Sequence, residues 1–144
     1  MQNTIPNTIQ WGVLGAASIA TERTMPAMHL APCATLLALA SRDAAKGQAV
    51  AQALGIPRVH TSYEALLADP DIDAVYIPLP NQLHFDWSVR ALEAGKHVLC
   101  EKPLCLTAAQ VQQLCAVRDR TGKQIEEGFG FRNHPQWAKL EGLL

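Results

Sequence analysis

Metal-ligand patterns are missing from this sequence. None of its four cysteines, Cys33, Cys100, Cys105 and Cys115, forms a C-x-x-C pair, and its five histidines do not fall at zinc-ligand spacing. No metal site is expected, and the cysteines are expected to be reduced, mostly buried thiols. Excess charge of one sign is missing too. Twelve Lys and Arg stand against thirteen Asp and Glu, for a formal net charge of −1. They are interleaved along the chain, which argues against nucleic-acid binding, an interaction tail or a membrane patch. Long hydrophobic runs are absent: the longest apolar stretch, Met25 to Ala40, is broken by Pro26, His29 and Pro32 and does not make a spanning helix. Met1 to Gln10 has no Lys or Arg and no apolar core, so a secretory leader is not expected and a cytoplasmic location is. At 144 residues there is room for one well-buried core and not for two.

What is present is an alternation. Short apolar runs at Gln10–Leu14, Thr35–Ala40, Arg58–His60, Ala74–Ile77, His97–Cys100 and Gln124–Glu127 read as strands. Between them lie helical segments: Ser18–His29, one from the N-cap Asp43 to Leu54-Gly55, a brief one at Tyr63–Leu67, Leu83–Glu93 closed by Gly95, and Ala108–Arg120 capped by Thr107. A further helix begins near His134. Strand–helix alternation predicts an α/β fold, a Rossmann-type doubly wound parallel sheet with helices on both faces.

The first strand runs into its helix through Gly15-Ala16-Ala17-Ser18-Ile19-Ala20. Set on the G-x-G-x-x-G pattern, Gly15, Ala17 and Ala20 take the three glycine positions. Gly15 permits the tight turn, Ala17 lets backbone approach a pyrophosphate, and Ala20 lets helix and strand pack closely. Two alanines for glycines leave an ordinary βα turn as an equal alternative for this segment alone. The second strand ends at Ser41-Arg42, where an NAD-specific fold carries a carboxylate for the ribose 2′-hydroxyl. Arg42 instead offers a guanidinium to a 2′-phosphate, with Ser41 and Lys46 as further donors, so NADP is expected over NAD. The alternatives are a solvated Arg42 or one stacked on adenine.

Ligands of open α/β sheets sit outside the carboxyl ends of the strands. The loop Pro78-Leu79-Pro80-Asn81 after the fourth strand falls in that layer, with Asn81 expected to cap the next helix or touch ribose, and His84 a contact to cofactor or substrate or, as is the more frequent case, a capping or structural histidine. Glu101-Lys102-Pro103 ends the fifth strand in the same layer. A lysine beside a nicotinamide suits proton transfer to or from an alcohol oxygen, and Glu101 suits either a tether for Lys102 or a ribose ligand. An exposed Glu-Lys pair before a turn proline fits these residues equally well.

Taken together, Trp11–Ala20, Ala40–Arg42, Ala74–Asn81 with His84, and above all Ala91–Leu104 with its Glu-Lys-Pro ending resemble the Gfo/Idh/MocA family. Glu127–Gln136 resembles the segment that leads that family's chain into its second domain, although Phe129-Gly130-Phe131 departs from the usual Phe-Met-Tyr. The resemblance implies a dehydrogenase or reductase acting on a sugar, cyclitol or related alcohol with NADP or NAD. It implies Lys102 as the catalytic lysine before a cis proline. Cofactor contacts are implied from Gly15, Ala16, Ala17, Ser18, Ile19, Ser41, Arg42, Lys46, Pro78, Leu79, Pro80, Asn81, His84, Glu101, Lys102 and Gly128.

The expected division is a nucleotide-binding domain over residues 1–128 and a linker with the start of a second domain over 129–144. The α+β second domain usual in the family, with its substrate pocket, histidine and oligomer interface, is expected to be absent. Exposed Phe129, Phe131 and Trp137 would then favour self-association. The competing expectation is a solitary NADP(H)-binding module without activity of its own.

Overall fold

In a computed structural model residues 8–143 are described; most of the Met1–Gln10 segment, on which the absence of a leader was argued, lies outside them, as does Leu144. The apolar runs form six strands: β1 (Ile9–Leu14), β2 (Ala34–Ala40), β3 (Arg58–His60), β4 (Ala74–Ile77), β5 (His97–Cys100) and β6 (Ile125–Glu127). They make one sheet in the order β3-β2-β1-β4-β5-β6, and every pair is parallel. This is the doubly wound Rossmann arrangement expected from the alternation. The helices are α1 (Met25–Leu30), α2 (Ala44–Leu54), α3 (Tyr63–Leu67), α4 (His84–Glu93), α5 (Ala108–Thr121) and α6 (Gln136–Glu141).

Local chemistry sets most of the boundaries. Asp43, Ser62 and Thr107 each accept an amide hydrogen bond at the start of α2, α3 and α5. Gly55 and Gly122 end α2 and α5 in the left-handed conformation. All four residues of β4 are buried because helices cover both faces of the central strands. One core cluster, including Leu14, Leu66, Ile77, Leu92 and Leu114, fills the face under α3, α4 and α5. The other, including Val13, Met25, Leu39 and Tyr76, fills the face under α1 and α2. Each fully buried large aliphatic side chain contributes roughly 1.5–3 kcal/mol.

Several expectations need correction. The helix after β1 is not a uniform α-helix. It begins at Ser18, widens into a π-helical turn at Ala20–Thr24, and tightens again in α1. Pro26 has no amide for the Glu22 carbonyl and its ring crowds that carbonyl, and the wider turn accommodates it. Before α4 the chain makes a 3₁₀ turn at Asn81–Leu83, and the Asn81 side chain caps nothing. Pro80 feeds directly into this turn, and it is the Asn81 carbonyl that takes the His84 amide. Only Cys100 among the cysteines is buried; Cys33 is exposed, and Cys105 and Cys115 are half-buried. Among the described residues no helix is long and apolar enough to cross a membrane.

Strand order reverses between β1 and β4, since the chain leaves β3 at one edge and re-enters on the other side of β1. Their carboxyl ends part there and open a crevice, the usual ligand position in such sheets.

Candidate functional site

At the end of β1, Gly15 adopts φ +101°, and its amide donates to the Ala40 carbonyl at 2.8 Å. A Cβ added there would lie 2.9 Å from Leu79 Cδ2, so both the backbone conformation and the close approach require glycine. The helical run then starts at Ser18; the Ala20 and Thr21 amides donate to the Ala17 carbonyl at 3.0 and 3.1 Å, while those of Ser18 and Ile19 have no acceptor among the described residues. Those amides and the helix dipole suit an anion at this position.

The end of β2 differs from expectation in one respect. Ser41 is buried; its hydroxyl donates to the Asp43 carbonyl at 2.8 Å and accepts from the Asp43 amide at 3.2 Å. The Ser41 proton is thus engaged in its own turn rather than offered to a ligand. A Cβ on Gly47 would fall 2.8 Å from Ser41 Cβ, so the glycine lets α2 close over this turn. Arg42 and Lys46 are exposed, and neither has an ion-pair partner among the described residues.

Opposite this turn, Pro78 and Leu79 are buried while Pro80 and Asn81 are exposed. His84 is fully buried. Its Nε2 lies 2.6 Å from the Leu79 carbonyl oxygen and its Nδ1 lies 2.7 Å from that of Pro103. It forms part of the back wall of the crevice.

At the end of β5, Glu101 is half-buried and Lys102 is exposed, and the Lys102–Pro103 bond is cis. Glu101 Oε2 accepts from the Lys102 backbone amide at 3.3 Å, not from its ammonium, so the carboxylate does not tether the lysine side chain. Its other oxygen accepts from the Tyr76 hydroxyl at 2.7 Å. Burial, and the Glu101 charge beside it, push the Tyr76 phenol well above its ordinary range, which keeps it a neutral donor. Gly128 donates its amide to the Cys100 carbonyl, and a Cβ there would stand 3.2 Å from that oxygen and 3.6 Å from Glu101 Cδ. Burial likewise pushes the Cys100 thiol up to about 12, so it is no nucleophile.

These pieces line one continuous crevice. A cavity of about 300 Å³ is lined by Gly15, Ala16, Ala17, Ser41, Arg42, Lys46 and Pro78–Pro80. It shares Ala17 and the proline loop with a second, of about 420 Å³, lined also by Ile19, Asn81, His84, Glu101 and Lys102. That one shares Ile19, Glu101 and Lys102 with a third, of about 430 Å³, that reaches Gly128. Of the residues expected from the sequence, Ser18 alone does not line it. Another cavity, of about 600 Å³, lies elsewhere, against the starting ends of β1, β4, β5 and β6. It has no glycine turn, arginine or lysine, and so offers a phosphate nothing.

Sequence reasoning missed Thr24, Tyr63 and Tyr76, all of which line the crevice. The available signal was Tyr76: a tyrosine in an otherwise apolar, doubly covered strand must place its hydroxyl against a partner. Nothing in the local sequence marks Thr24, which reaches the site through the π-helical turn.

Comparison with known proteins follows the same outline. The family model described as "Oxidoreductase family, NAD-binding Rossmann fold" (GFO_IDH_MocA) matches residues 9–129. An oxidoreductase of Rhizobium meliloti is 49% identical over 94% of this chain and 41% of its own length. A D-xylose 1-dehydrogenase (NADP(+)) of Haloferax volcanii is 46% identical over 94% of this chain and 42% of its own. Among solved structures, a 3-ketoreductase from Actinomadura kijaniata in complex with NADP and TDP-benzene superposes with a TM-score of 0.90. It is 42% identical to this chain over 93% of it and 41% of the reductase. The chain thus spans about two-fifths of the length of these relatives.

Proposed function

The chain belongs to the Gfo/Idh/MocA oxidoreductase family, and on that footing we propose that it is the NADP(H)-binding half of a dehydrogenase or reductase for a sugar, cyclitol or related alcohol. The observation that carries this is the unbroken crevice from Arg42 and Lys46 to Lys102 and Gly128 along the carboxyl edge of the sheet. A dinucleotide fits the chemistry of its two ends. Exposed cations and the Ser18 and Ile19 amides at a helix start stand at one, and a carboxylate beside a lysine at the other. NADP, when bound, supplies hydride exchange at the nicotinamide.

In this proposal Gly15 to Ile19 seat the pyrophosphate, and Arg42 with Lys46 holds the 2′-phosphate. Ser41 keeps the turn that presents Arg42. Pro78 to Asn81 and Gly128 shape the walls, Glu101 takes the ribose hydroxyls nearer Lys102, and Lys102 moves the proton of the alcohol. Residues up to 128 form the binding domain, and 129–144 begin the connection onward. The partners are small sugar-like alcohols and other copies of the protein rather than nucleic acid or membrane, and the location is the cytoplasm, where NADP(H) is held. The two NADP-associated relatives support the choice of dinucleotide.

Titrating the purified chain with NADPH and NADH, followed by nicotinamide fluorescence, tests the assignment. NADPH should bind at least tenfold more tightly; binding of neither dinucleotide removes it.

A further inference from the structure

Tyr76 is 1% exposed, and its hydroxyl meets two side chains from distant parts of the sequence. It lies 2.7 Å from Glu101 Oε1, at the end of β5, and 3.0 Å from Thr24 Oγ1, in the π-helical turn after the Gly15 loop. The proton order is set by chemistry. A carboxylate only accepts, so Tyr76 donates to Glu101; its oxygen is then left to accept from the Thr24 hydroxyl. With Oε2 taking the Lys102 amide at 3.3 Å, the carboxylate is held at both oxygens. Thr24, Tyr76, Glu101, Lys102 and Gly128 all line the third cavity of the crevice.

The geometry points to Thr24 and Tyr76 as positioning residues: a two-hydroxyl relay that fixes the Glu101 carboxylate for the cis-diol of the ribose nearer Lys102. This rests on the assignment of the crevice to NADP(H). The relay also joins the helix that seats the pyrophosphate to the strand end that carries Lys102, so the two halves of the site are set by one chain of hydrogen bonds. Without its hydroxyl, Tyr76 would still fill the core beneath α1, but Glu101 would be free to turn toward water.

The test compares two ligands on the full chain by calorimetry: NADPH, and 2′,5′-ADP, which carries only the adenosine half. Tyr76→Phe keeps the ring and removes the donor. It should weaken NADPH by about tenfold, the size of one charge-assisted hydrogen bond, and leave 2′,5′-ADP within twofold. Thr24→Val should weaken NADPH in the same sense by a smaller factor, with Thr24→Ser restoring it. Unchanged NADPH affinity in Tyr76→Phe, or equal losses for both ligands, overturns the relay. A wild-type chain that binds neither ligand overturns the crevice assignment itself, and the relay with it.

Discussion

The ring of His84 joins two loops: its Nδ1 lies 2.7 Å from the Pro103 carbonyl oxygen, while its Nε2 lies 2.6 Å from that of Leu79. The first carbonyl belongs to the turn that presents Lys102, the second to the proline loop on the crevice wall. Carbonyls only accept, so the ring is the donor in each bond that it makes. The sequence left His84 either a capping or structural role or a contact to cofactor or substrate. Its full burial and both of its bonds favour the structural one, a strap behind the site.

Replacing His84 by Ala should therefore take the ring away from the buried Leu79 carbonyl and from that of the exposed Pro103, and free the two loops from each other. A stability loss of about 1–3 kcal/mol is expected, with a several-fold loss of NADPH affinity. Thermal melts and dinucleotide titration would read both. A variant with wild-type melting temperature would show the ring to be dispensable.

Arg42 has no partner of its own among the described residues and stands at the Ser41 end of the crevice. Arg42→Ala should reduce NADPH affinity by roughly 10–100-fold, as loss of a charged hydrogen bond does, while NADH affinity stays within twofold. Equal losses for the two dinucleotides would assign Arg42 to adenine stacking instead.

Gly15→Ala forces a side chain onto φ +101° and against Leu79 Cδ2 at 2.9 Å. The conformational cost is roughly 1–2 kcal/mol, and the displaced Leu79 enters the crevice. Melting temperature and NADPH affinity should fall together; a variant as stable as the wild type would contradict the observed turn.

Asp69 gives the pH dependence. Burial alone would raise its pKa, but the Asp71 amide and the Arg58 guanidinium outweigh that and hold the carboxyl below the usual range. A lowered folded-state pKa favours the ionised, folded form. Its contribution is therefore complete above the ordinary Asp value of about 3.9 and is lost as the pH falls below it. Asp69→Asn should lower the melting temperature at pH 7, and the gap to the wild type should shrink by pH 3. A constant gap across that range would dismiss the ion pair as the cause.

Phe129, Phe131 and Trp137 stack edge to face at 4.6 and 5.1 Å, yet each remains more than a third exposed. Such a patch favours self-association. Sedimentation should show a concentration-dependent oligomer that Phe131→Ser weakens, and a monomer at every concentration would refute it.

The sheet was legible because its signals are local. Apolar runs with Gly or Pro stops gave β3, β4 and β5 at their observed bounds, and Asp43 and Thr107 announced their helices by the need of first-turn amides for an acceptor. Crevice residues such as Gly15, Arg42 and Lys102 were legible for a related reason: each follows a strand, and parallel strands deliver their carboxyl ends to one edge.

What composition and order along the chain determined is the winding of the sheet and the edge at which its chemistry collects. Only packing decided how that edge is held. Ser41 spends its proton inside a turn, His84 is a strap, and Thr24 meets Tyr76 across 52 positions of sequence while Tyr76 meets Glu101 across 25. Such hydrogen bonds depend on which side chains are brought together after the layers have packed, and no spacing in the sequence encodes that.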